Sequence, residues 1–194
     1  MNNLLIVGLG NPGKEYQKTR HNAGADFVNL LTKKLEINLK KEDKFFGLYS
    51  YKKIGTFKIH FSIPEVYMNE SGRSVRKIKD YFKLKTSDLL VVHDELDLPI
   101  GKIKFKESGG HGGHNGIKNI IDNLQGDSSF KRLRIGIDHP AGGSDVTNYV
   151  LSKANTTERN ALNKAMKKAL PVMDLVFEGK WQEALLELHT AERI

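Results

Sequence analysis

Leu4-Leu5-Ile6-Val7-Gly8-Leu9-Gly10-Asn11-Pro12-Gly13, continuing to Thr19-Arg20-His21-Asn22-Ala23-Gly24, sets the frame for the rest of the chain. Four consecutive apolar residues, Leu4 to Val7, predict a buried strand. The glycine-rich turn that follows allows positive φ and a close approach of backbone to ligand. Lys14 to Asn22 has no apolar period, which predicts an ordered loop rather than a helix. The turn and the loop together carry Asn11, Tyr16, Arg20 and His21 to the end of a central strand, where open α/β sheets bind ligands. The spacing Gly8-x-Gly10-x-x-Gly13 resembles a dinucleotide fingerprint only on paper. A helix should start among the glycines, and an acid should end a second strand about 20 residues on. Pro12 and the polar run deny the first, and a helical pattern over Phe27 to Leu35 denies the second.

A length of 194 residues suits a single domain spanning 1–194. No long apolar run or signal-peptide pattern is present, so a soluble, cytoplasmic protein with no membrane partner is expected. The absence of cysteine excludes disulfides, thiol nucleophiles and Cys-based zinc sites. A net charge of +8 suits a polyanionic partner, provided the cations are grouped.

Phe27, Leu31 and Leu35 mark an amphipathic helix from Ala23 to about Leu35. Phe45–Tyr51 and Thr56–Ile63 predict a hairpin around Lys53-Ile54-Gly55, its second arm stopped by Pro64. A helix over about Ser71–Lys83 presents Val75, Ile78 and Phe82 to the core. Asp88–Asp94 reads as a second buried strand, and Lys102–Glu107 and Arg132–His139 as further strands. Between the last two lies the glycine-rich loop Gly109–His114, and a helix starts near Asn115. Thr157–Thr190 is helical, interrupted at Pro171 and Gly179, with Leu162, Met166, Leu170, Trp181, Leu185 and Leu188 facing the core. The pattern predicts one α/β domain: a twisted, mixed, mostly parallel sheet flanked by α-helices. Gly142-Gly143 is the expected mobile loop.

The two buried strands Leu4–Val7 and Leu89–Val92 should place their polar ends side by side. Asn11 and His21 would then meet His93, Asp94 and Glu95. A carboxylate beside a histidine orients the imidazole as a general base; His21 alone reads better as a surface histidine, and with Asp94 as partner the two readings are even. Asn22, Asn69 and Asn115 sit at predicted helix starts. Capping is the better reading for Asn22. Asn69 and Asn115 fit either caps or polar clamps for a carbonyl or oxyanion. His111 and His114 within glycines make a poor metal frame, so no metal site is expected. Without a Gly-x-Ser-x-Gly elbow or a cysteine, activated water is the expected nucleophile of a hydrolase. Lys102, Lys104 and Lys106 share one strand face, and Arg132 and Arg134 repeat the arrangement. These rows fit either solvated faces or a phosphate-binding surface.

Six motifs, in order, carry a resemblance over nearly the whole chain. They are Val7–Gly13, Thr19–Gly24, Tyr67-Met-Asn-Glu-Ser-Gly72, His93-Asp-Glu-Leu-Asp-Leu-Pro99, Gly112-Gly-His-Asn-Gly116 and Arg132-Leu-Arg-Ile-Gly-Ile137. The sequence resembles bacterial peptidyl-tRNA hydrolases, which cleave the ester joining a peptide to its tRNA. The resemblance implies a monomer that needs no metal or cofactor and binds the acceptor stem and 3′ end of peptidyl-tRNA. It implies that His21 is the general base for water and that Asp94 orients it. Asn69 and Asn115 would hold the peptide main chain and the attacking water or oxyanion, and Asn11 would work near the ester. Tyr16, Met68 and His114 would line the site, and Lys104, Lys106 and Arg134 would meet tRNA phosphates. The chain departs from the family in Val66, where threonine is usual, and in Glu107-Ser108, which replaces a glycine-rich or apolar stretch. A non-catalytic RNA-binding protein would explain the charge but not His21, Asp94 or the asparagines. A metal-dependent peptidase is the weaker rival.

Overall fold

A computed structural model describes residues 2–143 and 145–190. Among them, seven strands and seven α-helices form a single α/β domain. The sheet order is β2-β3-β4-β1-β5-β7-β6. Here β1 is Asn2–Gly8, β2 Lys40–Glu42, β3 Gly47–Ile54, β4 Phe57–Pro64, β5 Leu89–Glu95, β6 Ile103–Lys106 and β7 Lys131–Gly136. Four adjacent strands, β4, β1, β5 and β7, are mutually parallel, and antiparallel pairings close both sides. This is the mixed sheet expected from the alternation of buried strands and crossovers.

The central strands are apolar because both their faces are covered. Leu5 and Val7 face a core completed by Val75 and Ile78 of α2 (Ser71–Phe82) and Ile117 and Ile120 of α3 (Asn115–Asn123). Leu4 and Ile6 face the other core, where α1 (Ala23–Lys34) and the C-terminal helices pack. In α1 the buried Phe27, Val28 and Leu31 follow the helical period. Each such side chain, fully buried, contributes about 1.5–3 kcal/mol. Gly24 lets this helix lie directly on β5, because a Cβ there would collide with the Val92 carbonyl oxygen.

The C-terminal segment divides into α5 (Thr156–Ala169), α6 (Met173–Phe177) and α7 (Trp181–Thr190). The breaks fall around Pro171 and at Gly179, whose φ of 76° is left-handed. At the end of α7 the His189 imidazole accepts a hydrogen bond from the backbone N–H of Phe105, 3.1 Å away on the outer strand β6.

Several predicted boundaries move. The Lys14–Asn22 loop contains two short 3₁₀ turns, Lys14–Tyr16 and Arg20–Asn22. β3 runs on to Ile54, so the hairpin turns at Gly55-Thr56 rather than around Lys53-Ile54-Gly55. β7 stops at Gly136, after which the Ile137 and Asp138 amides bond instead to the carbonyls of Glu95 and Leu98. The Gly142-Gly143 segment lies in a 3₁₀ turn, Ala141–Gly143. The five-residue helix α4 (Val146–Val150) and the strand β2 follow no apolar pattern that would announce them.

Asp26, in the first turn of α1, is half-buried, and burial pushes its carboxyl from 3.8 up to about 6 despite the nearby Lys18 charge. Well below the unfolded value of 3.8 the carboxyl is neutral folded and unfolded, so it costs nothing. Its penalty grows as pH rises through the folded value and is complete above it. Asp26→Asn is therefore expected to stabilise the fold by roughly 1 kcal/mol at neutral pH, after allowance for partial exposure. Urea titrations near neutral pH and roughly one unit below the unfolded carboxyl value check this, with the gain vanishing at the acid end.

Candidate active site

β1 and β5 lie side by side and parallel, Gly8 opposite Val92, so their C-terminal ends deliver Asn11, His21 and Asp94 to one place. Asp94 is the hub. It is 3 % exposed, and its two carboxylate oxygens each lie 3.0 Å from His21 Nδ1. An ionised carboxylate only accepts, so Nδ1 of His21 carries the proton and Nε2 keeps its lone pair. A second imidazole approaches Asp94: His114 Nε2 lies 2.9 Å from Oδ1. The tautomer of His114 is fixed from its other side, because Nδ1 accepts the Gly116 and Ile117 amides. Nε2–H therefore donates to Asp94.

Burial opposes the Asp94 charge, but the His114 and His21 imidazoles outweigh it and hold the carboxyl well below the usual carboxylate range. Burial would lower His21, yet the Asp94 charge and hydrogen bond raise it above 6.5. His93 is buried behind this cluster and donates from Nδ1 to the Asp94 carbonyl at 2.6 Å. Burial first, then His114, drives its pKa well below the ordinary value, so it stays neutral.

Asn11 is pinned from two directions. Asn22 brackets its backbone, accepting its amide at 2.8 Å and donating to its carbonyl at 3.0 Å. The Asn11 Oδ1 accepts the Met68 amide at 2.7 Å, which leaves its NH₂ for a ligand. Asn22 thus does not cap α1, contrary to the sequence reading, because its carboxamide is spent on Asn11. Asn69 follows Met68 in a 3₁₀ turn that leads into α2, and neither end of that turn is capped by a side chain. For α3 the cap is His114 rather than Asn115. Gly116 is needed here, since a Cβ would press on Met68 Sδ and Leu9.

A cleft of about 460 Å³ opens over these groups. Asn11, His21, Met68, Asn69, Asp94, His114 and Asn115 all line it, and Asn69 and Asn115 are exposed within it. Leu96, Val146, Val150 and Leu151 add an apolar part to its wall. Such a cleft can hold an acyl group against the wall while a water meets His21 Nε2.

The family model for peptidyl-tRNA hydrolase matches residues 5–193. The chain belongs to the peptidyl-tRNA hydrolase family. A peptidyl-tRNA hydrolase of Saccharophagus degradans is 47 % identical over 186 residues, which are 96 % of this chain and 94 % of that one. One from Pseudomonas fluorescens is likewise 47 % identical, covering 96 % of each chain. The crystal structure of the Acinetobacter baumannii peptidyl-tRNA hydrolase superposes with a TM-score of 0.91 at 40 % identity, covering 95 % of this chain and 93 % of that one.

In this hydrolase, Tyr16 is the predicted lining residue that stands apart from the cleft wall. It packs edge-on against Tyr67, with ring centroids 6.4 Å apart, and Tyr67 takes the lining position. Tyr67 belongs to a sequence motif that assigns it no role, and no sequence pattern announces the α4 side chains that line the cleft. His21, Asp94 and His114 are the one His/Asp/Glu trio among the described residues with ligand atoms within 4.8 Å of one another. A cation there would have to displace the N–H donors of both imidazoles. His111 is outside the trio, its Nδ1 accepting the Gly113 amide.

The basic rows are corrected in part. Ile103 and Phe105 are buried, as alternation requires, and Lys104 faces Arg134 across the β6–β7 pair. Arg134 is shared with Glu95 of the neighbouring β5 at 3.6 Å, so its charge is partly offset. Arg132 is buried and cannot meet a phosphate.

Proposed function

We propose that this enzyme hydrolyses the ester between a peptide and the 3′ end of tRNA, with His21 as general base. The observation that carries the reading is the fixed His21 tautomer. Nδ1–H is held by both Asp94 oxygens, and unprotonated Nε2 remains on a ring that lines an open cleft. Nε2 takes a proton from water as the water attacks the ester carbonyl, and Asp94 supports the imidazolium that forms. The carboxamides of Asn69 and Asn115 supply donors to the tetrahedral oxyanion and the peptide main chain. Asn11, pinned by Asn22 and Met68, offers its NH₂ near the ester, and the protonated His21 returns its proton to the leaving ribose oxygen. Met68, His114, Tyr67 and, behind it, Tyr16 shape the walls.

The test is peptide release from an N-acylated aminoacyl-tRNA with chelator present. Cleavage that chelator leaves unchanged supports water activation by histidine. Cleavage abolished by chelator and restored by a divalent ion would instead make the His21–Asp94–His114 trio a metal centre. Tight RNA binding without cleavage would overturn the enzymatic reading.

Lys104, Lys106 and Arg134 are proposed to meet the phosphates of the acceptor stem. Charges on strand β6 and its partner β7 position a polyanion without touching the ester. Lys104→Ala with Arg134→Ala is expected to raise KM roughly tenfold with kcat little changed. The salt dependence should also flatten by about one unit of slope for each phosphate-binding cation removed. Initial rates across a salt series read both, and a selective loss of kcat would place these residues at the chemistry instead.

A further inference from the structure

β7 carries two arginines on one face, with different surroundings. Arg134 remains partly exposed, whereas Arg132 is 2 % exposed. Both terminal nitrogens of Arg132 donate to backbone carbonyls, one to Gly110 at 2.6 Å and the other to Gly109. Its guanidinium carbon lies 4.7 Å from the centre of the Phe130 ring. The two carbonyls belong to the glycine-rich stretch that precedes α3, most of which is exposed and none of which is buried. Left to itself such a chain is floppy, because glycine has the most backbone freedom to lose on ordering.

The stretch is nonetheless held at each end. Arg132 grips Gly109 and Gly110, and the His114 amide closes a turn on the His111 carbonyl at 2.9 Å. The His114 ring then caps α3 and reaches Asp94. Three short steps thus separate the buried guanidinium from the carboxylate that orients His21.

We infer that Arg132 is a positioning residue for the active site, clamping the Gly109–Gly110 backbone so that His114 keeps its hydrogen bond to Asp94. Charge-assisted bonds from a buried guanidinium are stronger than neutral ones, so one side chain can immobilise a loop with no core of its own. The inference builds on the proposed roles of His21 and Asp94, so its test includes a readout independent of turnover.

That readout is the imidazole N–H resonance of His114 in protein with isotope-labelled histidine. His60, fully buried between Tyr49 and Asn3 on β4, is the fold control. In Arg132→Met the His114 signal should broaden or vanish while that of His60 persists. Turnover of N-acylated aminoacyl-tRNA should lose about tenfold in kcat with KM within about twofold, the signature of a displaced catalytic group. Arg132→Lys should recover part of both, and it carries the test alone if the methionine variant does not fold. In a His114→Ala background Arg132→Met should cost less than about twofold, because the clamp then has nothing left to position. An unchanged His114 signal would overturn the inference, as would a fully additive double variant or a loss confined to KM. A normal loss of the His114 signal in a protein whose turnover does not depend on His21 would leave the clamp standing and refute the catalytic reading instead.

Discussion

Replacing His21 with alanine is expected to lower kcat/KM by roughly 10²–10⁴-fold, the ordinary worth of a positioned general base. The loss should fall mainly on kcat, since the cleft keeps its asparagines and its apolar wall. Residual cleavage is expected, because donors around the oxyanion act without the imidazole. The pH profile provides a second check on the same residue. Asp94 outweighs burial and raises the His21 pKa above 6.5, and only the neutral ring can accept a proton from water. Activity of the wild-type enzyme should therefore fall as pH drops through a value above 6.5, with the limb traced in kcat/KM. Full turnover by His21→Ala, or a flat profile through that range, would remove His21 from the chemistry.

Asp94→Asn is expected to be about as damaging, roughly 10²–10⁴-fold, although it alters one atom and almost no volume. The carboxylate accepts from His21 and His114 at once, and an amide oxygen can serve only part of that demand. Where the asparagine NH₂ faces His21, the ring must turn Nδ1 into an acceptor, which puts the proton on Nε2 and blocks the base. The same change in a Ser-His-Asp triad costs about 10⁴ in kcat for this reason. With both raising influences gone, burial alone acts on His21, so its acid limb should move below 6.5. Rates measured across the acid limb of both proteins decide the matter. A variant with a normal profile and merely lower thermal stability would reduce Asp94 to a structural role.

Much of this arrangement was legible in the sequence for physical reasons. Leu4–Val7 and Leu89–Val92 are apolar throughout because helices cover both sides of the central strands, and a run of that kind has few other readings. Once two such strands are neighbours, the polar residues at their ends must meet, which brings His21 to Asp94. The misses have a common cause, namely that they depend on partners distant in sequence. Asn22 looks like a cap until Asn11 is folded against it. Alternation puts Arg132 and Arg134 on one face, and only the returning glycine loop shows that Arg132 is covered. His114 is unremarkable within glycines until Asp94 fixes one nitrogen and the start of α3 the other. β2 and α4, at three and five residues, are too short for any period to show.

The outermost strands have a bearing on how the enzyme behaves at high concentration. An unpaired strand edge is a template on which another chain can add itself, and short, lysine-bearing edges discourage this. Both borders of this sheet have that form: β2 is three residues long with Lys40 and Lys41, and β6 is four residues long with Lys104 and Lys106. On β6 the His189 ring also occupies the Phe105 amide, one of the donors that an incoming strand would use. The lysines proposed to hold tRNA phosphates therefore also guard the sheet against self-association. Neutralising them to study RNA binding weakens that guard, so the particle size of such variants has to be followed alongside their affinity.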